Sequence, residues 1–178
     1  IKARFYDTTD GTSWFVNWRD TQLGASCSFV AAADGQLRCI PNGDGVAYLG
    51  SFNYYKDQAC SQKIATAYAG GACPPVVPKY ATTLDVGQCP AQTHVFSVGA
   101  KLAGTTAFFR DATNQCVQTT FSQTALYDVG QEVPASSFVS AQEQTGPDFG
   151  GVSAMQIVAD DGARGFARFA DAARGMSC

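Results

Sequence analysis

IKARFYDTTDGTSWFVNWRDTQLGASC, residues 1–27, decides the reading of this chain, because VSAMQIVADDGARGFARFADAARGMSC, residues 152–178, matches it without a gap. Eight positions are identical: Ala3/Ala154, Asp10/Asp161, Gly11/Gly162, Phe15/Phe166, Asp20/Asp171, Gly24/Gly175, Ser26/Ser177 and Cys27/Cys178. Trp18 faces a second aromatic, Phe169. The two ends read as one structural unit used twice. A shorter signature, an aromatic, any residue and then Asp, recurs as Trp18-Arg19-Asp20, Tyr55-Lys56-Asp57, Phe109-Arg110-Asp111 and Phe169-Ala170-Asp171, each with a Cys soon after. In the middle third, VFSVGAKL (95–102) resembles LYDVGQEV (126–133). Repetition at tens of residues is the mark of stacked or radially arranged supersecondary units.

The residues around these repeats favour strands. β-Branched and aromatic side chains are prominent in residues 46–55 and 105–109, as a pleated, half-buried surface prefers. The Asp that closes each signature suits a turn, since its carboxylate accepts hydrogen bonds from backbone N–H groups two residues on. Four Asp-Gly steps, at 10–11, 34–35, 44–45 and 161–162, are expected to form tight type I′ hairpin turns. Helical periodicity is confined to Gln62–Ala69 and Ala135–Glu143. The expected fold is therefore all-β. It is built of repeated hairpins in a propeller-like or pseudo-symmetric barrel, with a β-sandwich as the alternative. No Pro/Gly-rich linker divides the chain, so one domain over 1–178 is expected, with Gly70–Lys79 an irregular connection.

Composition narrows the partners. The chain has 178 residues, 46% hydrophobic and 15% charged, with a formal net charge of −3. That is too apolar for disorder, and no apolar run reaches the roughly 20 residues a membrane helix needs. A nucleic-acid partner is disfavoured because Lys and Arg are neither numerous nor clustered.

Seven cysteines, Cys27, Cys39, Cys60, Cys73, Cys89, Cys116 and Cys178, stand too far apart for zinc ligands, and His94 is the single histidine. A disulfide-stapled protein of an oxidising, extracellular or cell-surface compartment is expected. An opening Ile1 without a signal peptide reads as a processed chain. The expected pairs are Cys27–Cys39, Cys60–Cys73 and Cys89–Cys116, with Cys178 left over: the chain is a fragment of a longer protein that holds its partner, or the bond is made to a neighbouring molecule, or Cys178 pairs with Cys27 and leaves Cys39 single.

TQLGASCSF (21–29), DGQLRCIP (34–41), YYKDQAC (54–60), PKYA (78–81), CPAQTHVFSVG (89–99), SSFV (136–139) and DGARGF (161–166) resemble a family of uncharacterised exported proteins of myxobacteria and related bacteria. The resemblance covers most of the chain. It implies export or surface attachment, often by a lipid anchor, and carries over neither an activity nor catalytic residues. This chain has no N-terminal cysteine to carry such an anchor.

The chemistry-bearing residues are few. A Ser-His-Asp or Cys-His site requires His94, which lies in a strand-like run, and no Gly-x-Ser-x-Gly elbow is present. Chance carboxylate pairs arise in any fold from 13 Asp and 2 Glu. DTTDG (7–11) and NGDG (42–45) match calcium spacing loosely and read better as turns. No metal and no cofactor is expected. Aromatics remain: Trp14, Trp18, Tyr48, Tyr54, Tyr55, Tyr68, Tyr80 and Tyr127, of which Trp14, Trp18, Tyr54, Tyr55 and Tyr127 are the candidates for contact with a ligand. Of neighbours such as Tyr54 and Tyr55, alternation buries one and exposes the other. The expected function is a non-catalytic surface module binding a glycan or a protein. A self-assembling structural subunit is the alternative, and a hydrolase using His94 with a carboxylate comes third.

Overall fold

The computed structural model describes residues 1–43, 45–50, 53–70 and 76–171, and the backbone of 176–177. Cys73 and Cys178, with the pairings expected of them, and Asp44 lie outside these. The described residues form sixteen strands and one 3-10 turn, and no α-helix. They fall into two compact units, residues 1–41 with 136–178, and residues 42–135.

The first unit is an eight-stranded antiparallel sheet. Its strands are β1 (Lys2–Asp7), β2 (Ser13–Asp20), β3 (Ala25–Ala31) and β4 (Leu37–Pro41), then β13 (Ser140–Asp148), β14 (Val152–Ala159), β15 (Arg164–Asp171) and β16 (Met176–Ser177), lying side by side in that order. The repeat seen in the sequence is a repeat of structure. β15 occupies the positions of β2, and both hairpins turn on a glycine with φ of 86°, Gly11 and Gly162. Ala3 pairs with Trp18 and Ala154 with Phe169. The register then slips at the same place, between Arg4/Phe5 and between Met155/Gln156. A one-residue bulge re-aims the side chains beyond it, so Phe15 joins Trp18 on one face and Phe166 joins Phe169. Each pair is in ring contact, with centroids 5.4 Å and 4.9 Å apart.

The sheet curls until its own face meets itself. Trp18, 5% exposed, packs with the Cys27–Cys39 disulfide, Phe29 and Ala163. A Cβ on Gly165 would stand 2.4 Å from the Trp18 ring, so only glycine fits beneath it. Cys27 and Cys39 lie on adjacent strands and staple β3 to β4, as expected.

The second unit contains a closed barrel. Strands β5 (Val46–Tyr48), β7 (Lys63–Tyr68), β12 (Thr124–Glu132), β9 (Gln92–Lys101) and β8 (Tyr80–Asp85) pair in that order, and a parallel β5–β8 contact closes the ring. β6 (Tyr54–Tyr55) continues along the same edge of β7 and hands the sheet on to β10 (Thr106–Arg110) and β11 (Cys116–Thr120). Five strands enclose little space, so small residues must line part of the interior. Ala47, Ala65 and Ala81 leave room for Phe96, Val98 and Val129. The opposite face of β7 packs Ile64 with Leu126 and Ala107 under the β10–β11 hairpin.

The second sequence repeat is also structural. β9 and β12 pair antiparallel with the equivalent residues Val98 and Val129 opposite each other. A local two-fold follows: Gly99 lies against Asp128 and Gly130 against Ser97, each glycine admitting its partner's equivalent.

Three expectations change. Cys60 pairs with Cys116, not with Cys73, and Cys89 is exposed and free, so the Cys89–Cys116 pairing falls as well. The two-residue β6 brings the loop after it beside β11, which no sequence spacing announces. The described Asp-Gly steps are not type I′ turns, because the glycine alone has positive φ. Gly11, Gly35 and Gly162 each donate to the carbonyl three residues back, which is a type I turn closed by a left-handed glycine. Finally, the helix-compatible stretches are strands β7 and β13, with only Ala135–Ser137 helical, as a 3-10 turn.

Candidate functional site

The recurrent aspartates are turn formers, as their spacing implied. Asp20 accepts from the Gln22 and Leu23 N–H groups, Asp57 from Ser61 and Gln62, and Asp111 from Thr113 and Gln115. The Gln62 N–H, with Ser61, holds the Asp57 carboxyl below the usual carboxylate range. A depressed folded-state pKa stabilises above the unfolded value and is lost as pH falls through the folded one. Thermal melts from pH 7 down to pH 2 should therefore fall at the acid end, and Asp57→Asn should flatten that fall. An unchanged acid limb in Asp57→Asn would remove this account of the turn.

A groove of about 510 Å³ lies on the outer face of the barrel where β5 runs beside β8. Register places Tyr48 opposite Thr82, and Leu84 opposite Thr93, on one face. Thr83, Val86, Leu49 and Gly50 complete the wall. Tyr48 is 54% exposed, and Leu84 and Val86 are open beside it. The lining combines apolar surface with three threonines, of which Thr82 and Thr93 share the face of Tyr48, and carries no charged side chain. Such a volume is of small-ligand size, and its few polar groups among apolar ones suit an uncharged amphipathic molecule.

The five aromatic candidates separate. Trp18 and Tyr127 are core residues, the first under the curled sheet and the second opposite Ala65 on the barrel-facing side of β7, so neither offers a contact face. Tyr54 and Tyr55 are both half-buried rather than one in and one out, because β6 is only a two-residue bridge. The Tyr54 ring meets Phe121 and Phe109 edge-on. Trp14 is open, at 65%. Tyr48 is one of 21 aromatics in the chain, and only the position of β5 distinguishes it.

His94 does meet a carboxylate: Nδ1 lies 2.6 Å from Glu132 Oε1, across β9 and β12. Both side chains are substantially solvated, and neither lines the groove. A second, more polar depression of about 340 Å³, in the first unit, is lined by Gln36, Leu37, Ser140, Ala141, Gln142 and Asp160. Among the described residues no three His, Cys, Asp or Glu side chains gather as a metal site. In DTTDG, Asp10 is taken up by the Thr8 hydroxyl and the Thr12 N–H, and Asp7 by Ser13, as a turn requires.

Fold and site thus define an all-β, disulfide-bonded protein with a closed five-stranded barrel and a neutral surface groove. Two disulfides are compatible with an oxidising compartment, and among the described residues no helix is long and apolar enough to cross a membrane. No protein-family model, curated protein or solved structure matches the chain.

Proposed function

We propose that this is a non-catalytic binding module of the extracellular space or cell surface, and that the Tyr48 groove takes an uncharged saccharide. One observation carries the reading: an exposed tyrosine beside Leu84, with Thr82 and Thr93 on the same face and no charged group in the lining. A pyranose has the same composition, an apolar C–H face edged by hydroxyls. Stacking buries the first against Tyr48, and the threonines replace the water lost from the second. The two disulfides and the resemblance to exported bacterial proteins support the location.

A glycan array followed by calorimetry tests this. Neutral saccharides should bind in preference to sialylated or sulfated ones, and Tyr48→Ala should weaken binding by about tenfold or more, as loss of a central aromatic contact does. Tyr48 is largely exposed, so the variant should keep its melting temperature. Binding confined to anionic glycans, or equal affinity in Tyr48→Ala, would overturn the assignment.

A further inference from the structure

The repeat in the first unit has a consequence for its surface. Following the register across the sheet, Trp18 shares a face with Cys27, Cys27 with Pro41, Leu37 with Ala141, Ala141 with Ala159, and Ile157 with Gly165. That face is the inside of the curl. Phe166 follows Gly165 directly and therefore points outward, and Phe169 lies outward with it, since its partner Ala154 precedes the inward Met155. Equivalent residues thus point to opposite faces. β1 and β14 also run in opposite directions, since five antiparallel steps separate them, while the strand order runs the same way. The operation relating the copies is a two-fold screw along the sheet, perpendicular to the strands.

In the first aromatic ledge Phe15 stays 47% exposed, whereas Trp18 beside it, 5% exposed, is covered from within the chain. What covers it is the start of β15, Ala163 and Gly165, just after the second hairpin's turn. The second ledge lies open, with Phe166 54% and Phe169 44% exposed. The other hairpin has an equivalent strand start, Thr12-Ser13-Trp14, at which Trp14 takes the place of Gly165. Trp14 is on the outward face, paired with Tyr6, and both are exposed on an edge hairpin. A monomer rarely leaves such a group of large aromatics open on a sheet edge.

We infer that a second copy of this chain covers the open ledge: Trp14 and Tyr6 of one molecule pack on Phe166 and Phe169 of the next. The contact repeats, between molecules, the strand-start-on-ledge packing that exists inside one molecule. The faces agree, since the screw turns the inward Gly165 side into the outward Trp14 side. The bulk is exchanged. Inside the chain a large ring on the ledge enters a gap at glycine; between chains the smaller Phe169 receives a large ring from the covering strand. Donor and acceptor surfaces differ, so the contact is head-to-tail and does not close on itself, and it builds open chains of molecules. A row of such modules would present many saccharide grooves together, but the contact itself rests on the first unit alone.

Sedimentation velocity without reductant, repeated on Cys89→Ser to remove any linkage through that exposed thiol while both disulfides stay intact, tests the inference. The wild type should form species that grow beyond a dimer as concentration rises from about 10 to 500 μM, a range set by the weak association that a small patch supports. Trp14→Ser and Phe169→Ser should each stay monomeric, with unchanged circular dichroism because both residues are exposed. An equimolar mixture of the two variants retains one intact contact per pair and should give dimers and nothing larger. A wild type that is monomeric throughout, or a mixture that behaves as its separate components, would overturn the proposal. Self-association that survives in either single variant would overturn it equally, by placing the contact elsewhere.

Discussion

Replacing Trp18 by alanine is expected to lower stability by about 3–5 kcal/mol, the largest effect of any single apolar truncation in the first unit. Trp18 is buried between two hairpins of one sheet, in edge-on contact with Phe15 and Phe29 and against the Cys27–Cys39 bridge. Removing its ring leaves the curl with nothing to close on. Gly165→Ala should by itself cost about 1–3 kcal/mol, since its Cβ would enter the ring. In the double variant the two costs should not add, because the added methyl then enters the space the indole has left. Urea unfolding of the wild type, both single variants and the double variant measures the coupling. Strict additivity would mean that the sheet does not close on Trp18.

The second large effect concerns Cys60 and Cys116, which are 56 residues apart in sequence. Converting both to serine should cost about 4 kcal/mol from the freed loop entropy. The bridge ties the turn after β6 to β11, and β6 contributes only two residues to its sheet. In contrast, Cys89→Ser, at an exposed thiol, should change stability by less than about 0.5 kcal/mol. Chemical unfolding of the three proteins, with peptide mapping of the unreduced wild type, checks both statements. Equal stability of the double variant and the wild type would contradict the connectivity.

The all-β class was legible because local chemistry and tertiary structure agree. The aromatic-x-Asp signatures at 18–20, 55–57 and 109–111 each end a strand in an aspartate-capped turn, a matter of hydrogen bonds two to five residues away. The terminal repeat was legible for the same reason, down to the Asp-Gly turns, although the turn type was not. Asp10 turns by accepting from the Thr12 N–H, and leaves positive φ to Gly11. Long-range facts were hidden. The Cys60–Cys116 pairing depends on where β10 docks, through a single Phe108–Tyr55 register pair. Exposure of an aromatic depends on curvature. Trp18 and Phe169 are equivalent in sequence, yet one is core and the other surface, because a screw and a curl put them on opposite faces. The His94–Glu132 contact was equally unreadable, since it arises from pairing of two bulged strands 38 residues apart.

The most direct test of the binding account is an amide chemical-shift titration of the whole ¹⁵N-labelled chain with the neutral saccharide that ranks first on the array. Shifts are expected to cluster at residues 48–50, 82–86 and 93, and to vanish in Tyr48→Ala. Perturbations centred on the Gln36–Asp160 depression or on His94, with the Tyr48 groove silent, would contradict it.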